Sequence, residues 1–505
     1  MTNPETTRVS QQEITDILWR ACDTFRGTVD PSQYKDYLLV MLFLKYVSDT
    51  WADKRDDYKR KYKGDSIRVE RALARERFVV PPKSEFGWLY EHRDASNLGE
   101  LINQALEAIE DANRGKLENV FRNIDYNSEP NLGETRERNR RLRNLLDDFA
   151  NPKLDMRPSH VGHMDVIGHA YEYLIGRFAS GAGKKGGEFY TPPEVATLLA
   201  KLLAPKPGET IYDPACGSGS LLIRMAREVG GDNYSLFGQE VNGQTWALCK
   251  MNMFLHDIDS ARIEWGDTLN APKLIEGSSI RRFDVVVANP PFSLDKWGAE
   301  KALDDRYGRF HRGTPPKSKA DYAFISHMIE SALETGGRVG VIVPHGVLFR
   351  GGAEGKIRQK LIEENLLDSV VGLPANLFFG TGIPAAILIF RKGRVRQTTL
   401  FIDASNGFTK DKKRSVLRQE DVARIVEAFQ SDRDIERLSR HVSPADLRDA
   451  GFNLNVARYV DPSEAEGSED LPDLQRRISD LEKQLGDSQR EVQRILSALG
   501  YEPLA

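Results

Sequence analysis

From about residue 160 the chain alternates short β-branched runs with helical stretches, and this alternation constrains the fold more than any other feature. TIYDPA, SLFGQE, RIEWGD, FDVVVANPP, GRVGVIVP, LDSVVGLP and AAILIFRK each read as a buried strand. Helical patterns follow several of them, as at Leu221 to Glu228 and Asp321 to Glu334. Such alternation predicts an α/β domain with a mostly parallel sheet and helices on both faces. Ligands bind such sheets at the carboxyl ends of the strands. The residues that end each run are therefore the candidates for chemistry.

The rest of the chain is organised differently. Residues 11 to 150 read as mainly helical: Leu18, Cys22 and Phe25 share a face, Asp36 to Trp51 is a long apolar helix, and Ser96 is the candidate cap of SNLGELINQALEAIED. The basic run Arg136 to Arg143 is a solvated helix face or a nucleic-acid contact. After residue 460 an acidic linker, DPSEAEGSEDLPD, leads to Leu474, Ile478, Leu481, Leu485, Val492, Ile495 and Leu499 at four–three spacing. This is a seam of about four heptads, a coiled-coil signal. The divisions are 1–155 for a helical N-terminal domain, 156–460 for the α/β domain, and 461–505 for a linker and docking helix.

Composition excludes some classes. With 71 basic and 75 acidic side chains the net charge is −4, so the chain is no basic nucleic-acid coat protein, although a local basic face stays open. Cys22, Cys216 and Cys249 form no CxxC pair, which argues against a disulfide framework or a cysteine-built zinc site. The N-terminus is polar, without a signal peptide. The apolar run Tyr37 to Val47 is too short for a bilayer and contains Lys45, so no membrane partner is expected. The chain reads as soluble and cytoplasmic.

Four features at the strand ends carry chemistry. Asp213-Pro214-Ala215-Cys216-Gly217-Ser218-Gly219-Ser220 lies between a strand and a helix. Its glycines permit a tight turn and close approach of a ligand to main-chain N–H groups. It is no P-loop, since no Gly-Lys-Ser/Thr follows. Glu240 ends the next strand about 20 residues on, where an acid binds ribose hydroxyls in dinucleotide-type units. Asp267 follows the third strand. Each acid alone reads equally as a cap or solvated loop residue; together they describe a site for a ribose-bearing cofactor with a cationic group. The last feature is Asn289-Pro290-Pro291-Phe292. Its prolines lack N–H donors and restrict the backbone, so the Asn289 side chain and nearby carbonyls are left as acceptors beside the Phe292 ring. That set suits the exocyclic amine of a planar base.

With DPACGSG and NPPF the chain resembles the S-adenosylmethionine-dependent amino-methyltransferases. More closely, it resembles the modification (methyltransferase) subunit of type I restriction–modification systems. That resemblance spans nearly the whole chain, from LWRACDTFRGTVDPSQYKDYLLVMLFLKYVSD through GGEFYTPPEVATLLA, ADYAFISHMIESAL and VIVPHGVLFR to LPANLFFGTGIPAAILIF. GEFYTP precedes the glycine loop, as in the gamma motif order.

The resemblance implies a Rossmann-like methyltransferase fold and adenine-N6 methylation of DNA. S-adenosyl-L-methionine would be held at its methionine end by Gly187, Glu188, Phe189, Tyr190, Thr191, Pro192, Asp213, Gly217, Ser218, Gly219 and Ser220. Glu240 would hold the ribose, and Asp267 would lie near the cofactor adenine. Asn289 and the Pro290 carbonyl would accept from the target amine, with Pro291 stiffening the turn and Phe292 stacking on a base flipped out of the duplex. Phe189 and Tyr190 have core packing as an alternative, and Thr191 a helix cap. The chemistry needs no metal. Implied partners are double-stranded DNA and a specificity subunit carrying two copies of this chain, with a restriction (nuclease/translocase) subunit as a further candidate. RYGRFHRGTPPKSK (306–319), basic and interleaved with Tyr307 and Phe310, reads from its residues as a DNA-facing loop or a merely solvated one. Competing functions are methylation of RNA adenine or of a protein glutamine amide, and a non-catalytic scaffold of the same fold.

Overall fold

The computed structural model describes residues 11–25, 31–161, 165–181, 190–411, 414–431, 433–462 and 471–498. Its strands are β1 (Thr210–Asp213), β2 (Ser235–Glu240), β3 (Arg262–Trp265), β4 (Ile275–Glu276), β5 (Ser279–Ile280), β6 (Val285–Ala288), β7 (Arg338–Pro344), β8 (Leu367–Gly372), β9 (Ala385–Arg391), β10 (Thr399–Asp403), β11 (Thr409–Asp411), β12 (Arg414–Val416) and β13 (Ser439–Val442). A nine-stranded sheet has the order β13-β10-β8-β9-β7-β6-β1-β2-β3. From β3 to β7 neighbours run parallel, as do β8 and β10, while β9 lies antiparallel between β7 and β8. Each expected strand is present. The continuous apolar character of β6, β7 and β9 matches burial on both faces, whereas β3 at the sheet edge is partly exposed.

Because β9 runs backwards, the β8–β9 connection sits at the carboxyl edge beside the end of β6. Its LPANLFFGTGIP sequence thereby delivers Phe378 and Phe379 to the same edge as NPPF. Helix Ser220–Val229 follows the glycine loop and helix Gly243–Leu255 follows β2. Helix Asp321–Glu330 ends earlier than its pattern predicts, because Ala332 forms a bridge to Phe283.

The N-terminal part is helical, as expected. Helix Pro31–Lys61 is longer than the apolar run that marks it, and every residue from Tyr34 to Ser48 is buried. Lys45 lies on it ion-paired with Asp49. The N-cap position of helix Leu98–Ala112 is Asn97, without a side-chain capping bond, and not Ser96, whose carbonyl instead accepts from Asn139 at 2.6 Å. In the Arg136 to Arg143 run, Arg138 is buried, Arg140 pairs with Glu137 at 2.7 Å and Arg143 with Asp94 at 2.9 Å. Short-range acids thus occupy much of that run. Among the described residues no helix is long and apolar enough to cross a membrane.

Residues 1–460 make one compact unit, and a hydrophobic core runs through helices and sheet alike. Its aromatic joint has Phe43 and Phe78 at 6.3 and 5.3 Å from Phe254, which belongs to helix Gly243–Leu255. Residues 461–505 make a second unit containing helix Leu471–Ala498. Of its seam residues, Ile478, Leu481, Leu485, Val492 and Ile495 are 45–63% exposed. The Leu474 side chain and Leu499 lie outside the described residues.

A joint core predicts joint unfolding. Phe254→Ala removes a ring shared by helical segment and α/β layers and should cost about 3–5 kcal/mol. In urea, far-ultraviolet circular dichroism and tryptophan fluorescence should report one coincident transition at a lower midpoint. Separate transitions would contradict the shared core.

Candidate active site

The site is built on the carboxyl ends of β1, β2, β3 and β6. Asp213 closes β1 and is 1% exposed. Its Oδ1 accepts from the Ala215 N–H at 2.9 Å. Burial, with the nearby Glu240 charge, pushes its carboxyl up to about 8. Glu240 closes β2 and joins two loops: Oε2 accepts from the Gly217 N–H at 3.0 Å and Oε1 from the Asn242 N–H at 2.8 Å. Burial raises its pKa too, against those backbone donors.

Between these acids the glycine loop turns through left-handed Gly217 (φ 54°) and Gly219 (φ 80°). A Cβ on Gly219 would lie 2.5 Å from Met253 Cε and 2.8 Å from Cys249 Sγ, which would have to shift, and the left-handed backbone strains any other residue there. Ser218 is buried, its carbonyl accepting from Asn252 at 2.9 Å, and Ser220 opens the following helix. Cys216 and Cys249 sit with their sulfurs 3.9 Å apart, both as free thiols.

Asp267 follows β3. Its carboxylate accepts from the Leu269 and Asn270 N–H groups at 2.9 and 3.1 Å and from Asn270 Nδ2 at 2.7 Å, so it shapes its own turn. It also lines, with Glu240, Val241 and Leu269, a cleft of about 600 Å³.

Asn289 follows β6 and is 8% exposed. Its Nδ2 donates to Thr191 Oγ1 at 3.1 Å, while its Oδ1 is buried without a hydrogen-bond partner among the described residues. Thr191 is thereby a partner of Asn289 and not a helix cap; Pro192 occupies the N-cap of helix Pro193–Leu203. Tyr190 is buried with its ring 6.0 Å from that of Phe379, as core packing requires. Tyr190, Thr191, Asp213, Gly217, Ser220 and Asn289 all border one narrow gap, which brings the segment before the glycine loop, the loop itself and the NPPF turn together. Gly187, Glu188 and Phe189 lie outside the described residues.

Pro290 is buried, while Pro291 is partly exposed and lines the 600 Å³ cleft. Phe292 is half-buried and meets Phe378 edge-on, with centroids 5.6 Å apart. Behind the turn, Ser293 sits at φ 52°. Its N–H donates to Asp321 Oδ1 at 3.0 Å, and Arg350 Nη2 donates to Asp321 Oδ2 at 2.8 Å. This brace went unassigned in the sequence. Asp321 lies in ADYAF and Arg350 in VLFR, segments that carry the family pattern without a role for either side chain.

The basic loop at 306–319 departs from expectation. Arg309 is buried, donating to Asp305 at 2.7 Å and to the Thr268 and Leu269 carbonyls at 3.1 and 2.7 Å. Arg312 is buried between Glu330 and Glu364, each at 2.7 Å, and Phe310 is in the core. Two of the loop's arginines therefore face inward, where they hold the Asp267 turn and helix Asp321–Glu330, and are not available to DNA.

No group of side chains with metal-ligand geometry occurs among the described residues. The site fits S-adenosylmethionine by its own features: a loop that excludes a Cβ, buried acids beside main-chain donors, and an unsatisfied amide oxygen across the gap.

Comparison with known proteins places the whole chain. Residues 162–468 match the model of the N-6 DNA Methylase family, and residues 14–149 that of the HsdM N-terminal domain. The chain is 32% identical to the MpnII type I restriction enzyme methylase subunit of Mycoplasma pneumoniae, over 95% of each chain. It is 33% identical to the MjaVIII methylase subunit of Methanocaldococcus jannaschii, over 95% of this chain and 83% of that one. A crystal structure of the type I restriction-modification methyltransferase subunit from Streptococcus thermophilus superposes with a TM-score of 0.79 at 33% identity, covering 90% of this chain and all (100%) of that one. The chain belongs to the N-6 DNA methylase family, among the methylase subunits of type I restriction enzymes.

Proposed function

We propose that this chain transfers a methyl group from S-adenosylmethionine to the N6 amine of adenine in DNA, as the modification subunit of a type I restriction–modification complex. The observation that carries the reading is Asn289: a buried amide oxygen with no partner among the described residues, in a side chain held through Nδ2 to Thr191 at the end of β6. A buried acceptor left open costs free energy unless a ligand donor completes it. The match to DNA methylases along the chain favours DNA over RNA adenine or a protein amide.

S-adenosylmethionine supplies a methyl already activated on a sulfonium. Asp213, the glycine loop from Gly217 to Ser220, and Tyr190 to Pro192 would hold its methionine end; Gly187 to Phe189 are assigned there by the family pattern alone. Glu240 and Asp267 would hold its adenosine end. Asn289 Oδ1 and the Pro290 carbonyl accept the hydrogens of the target amine. This draws the nitrogen toward a tetrahedral, more nucleophilic form. The two prolines keep that acceptor pair fixed, so orientation supplies much of the rate. Phe292, packed on Phe378, offers its free face to the flipped base. Residues 1–155 and 156–460 form the methylating body. Residues 461–505 dock it, through the exposed heptad seam, on a specificity subunit that carries two such chains and chooses the DNA site in the cytoplasm; a restriction subunit completes the larger assembly.

Asn289→Ala should lower methylation of target DNA by roughly 10²-fold or more, the scale of losing one preorganised polar contact to the reacting group. Calorimetric cofactor affinity should stay near wild type. Wild-type turnover with the specificity subunit present would remove Asn289 from the chemistry.

Asp213 gives a pH test. Its folded-state pKa of about 8 stands above its unfolded value of about 3.9. Between those values the folded chain holds a proton that the unfolded chain has lost, so stability falls as pH rises through the window. Asp213→Asn should therefore raise the melting temperature of the ligand-free chain at pH 8, with the gain shrinking toward pH 5, while weakening cofactor binding. In the wild type, binding of the cationic cofactor should release a proton, so affinity should rise from pH 6 to 8.

Deleting residues 471–505 should leave a folded, cofactor-binding chain that fails to assemble. Size-exclusion chromatography with light scattering on co-expressed subunits checks this. Full assembly would exclude the heptads as the docking element; loss of cofactor binding would place the helix in the catalytic body.

A further inference from the structure

The 600 Å³ cleft at the carboxyl edge has two walls. One is the sheet side, with Glu240, Val241, Asp267 and Leu269. The other belongs to the helical segment and consists of Lys35, Asp36, Tyr37, Asn123, Ile124 and Asn131. None of the strand-end motifs calls for that second wall.

Its charged members are unusual. Lys35 and Asp36 are both buried, although they stand in the first turns of helix Pro31–Lys61, and Nζ donates to Oδ1 at 2.6 Å. Keeping an ion pair away from water is costly, and here the pair is kept in the wall of a cleft. The Tyr37 hydroxyl beside them accepts from Asn131 and donates to the Asp125 carbonyl, each at 3.2 Å.

The two walls are fastened to one another. A Cβ on Gly243, the first residue of the helix after Glu240, would lie 3.1 Å from Asn123 Nδ2 and 2.9 Å from Trp265, so the helical segment comes down onto a bare backbone. Arg77 pins the same helix from its other end, through Asp259 at 2.8 Å and the Phe254 carbonyl at 2.8 Å. The Asn242 N–H that precedes the helix is bound to Glu240. Lys35 and Asp36 therefore line the same cleft as Glu240.

Among the described residues, those that border the narrow gap between Asp213, the glycine loop and Asn289 run from 190 onward. The helical wall serves the end of the cleft away from methyl transfer.

We infer that the N-terminal helical segment is half of the cofactor site, with Lys35 and Asp36 contacting the adenosine end of S-adenosylmethionine opposite Glu240 and Asp267. The inference rests on the methyltransferase reading above. It makes the segment a determinant of cofactor affinity and not of the transfer step, so the signature is a split between binding and turnover.

Two variants of the full chain test it. Lys35→Met with Asp36→Asn removes both charges together, leaving neither buried alone. Asn123→Trp, at an exposed position, pushes bulk into the cleft from the helical side. In calorimetric titration each should raise the dissociation constant for S-adenosylmethionine about tenfold, or roughly 1.4 kcal/mol, with a parallel loss for S-adenosylhomocysteine, which shares the adenosine end. At saturating cofactor, kcat on target DNA with the specificity subunit should stay within about twofold of wild type. Unchanged affinity in a double variant that melts like wild type overturns the inference. Where the double variant does not fold, unchanged affinity in Asn123→Trp overturns it. So does a fall in kcat with affinity intact, which would move the pair to the transfer step. A wild-type chain that binds no S-adenosylmethionine overturns the functional reading and this inference with it.

Discussion

One carboxylate holds the working edge of this protein together. Glu240 accepts simultaneously from the glycine loop at Gly217 and from the start of the next helix at Asn242. It thereby fixes β1's loop to β2's helix, and that helix is the surface on which the N-terminal segment sits, through Phe43, Phe78 and Arg77. Two backbone donors per carboxylate make its burial tolerable, and two loops become one rigid unit as a result. Removing that charge would loosen the glycine turn, the cleft and the seat of the helical segment together.

Next to it, the protein keeps Asp213 in a setting that opposes its charge. Burial and the neighbouring Glu240 both favour the protonated form. On the proposed function this is a site for a cation, most strained when no cation is bound, with stability given up in the ligand-free chain and recovered on binding. Asn289 follows the same logic with a neutral group. Its Oδ1, without a partner among the described residues, is a defect by the rules of core packing and, on the proposed function, a recognition element.

Much of this was legible in the sequence, and the remainder fails for identifiable reasons. β1, β2, β6, β7, β8 and β9 announce themselves because strands buried on both faces are largely apolar, while β3, half-exposed at the sheet edge, is marked by its place in the alternation. Asp213, Glu240 and Asn289 follow from the rule that parallel strands place ligands at their carboxyl ends. β10 and β13 were not read, nor was the insertion of β9 between β7 and β8, because pairing order is not a local property. Thr191 was open between a cap and a ligand residue, since its partner Asn289 lies 98 residues away. The arginines at 309 and 312 looked like a nucleic-acid loop because sequence displays charge without its partners. Arg312 is claimed by Glu330 and Glu364, and Arg309 by the backbone of the Asp267 turn.

The brace behind the NPPF turn shows why the motif alone is not the active site. Pro290 and Pro291 stiffen the turn but donate nothing, so they cannot anchor it. The anchor is the next residue: Ser293, forced into a left-handed conformation, directs its N–H at Asp321. Asp321 is almost fully buried, and an unpaired carboxylate there would be severely destabilising. Arg350, from the turn after β7, neutralises it and also donates to the Ser293 hydroxyl at 3.3 Å. The acceptor pair at Asn289 and Pro290 is thus fixed from two sides, by Thr191 at the amide and by the Ser293–Asp321–Arg350 chain at the far end of the turn. A methyl transfer that depends on orienting a weak nucleophile needs that second support, because a turn free to rock would spread the acceptors over many directions and lose the alignment that accelerates the reaction.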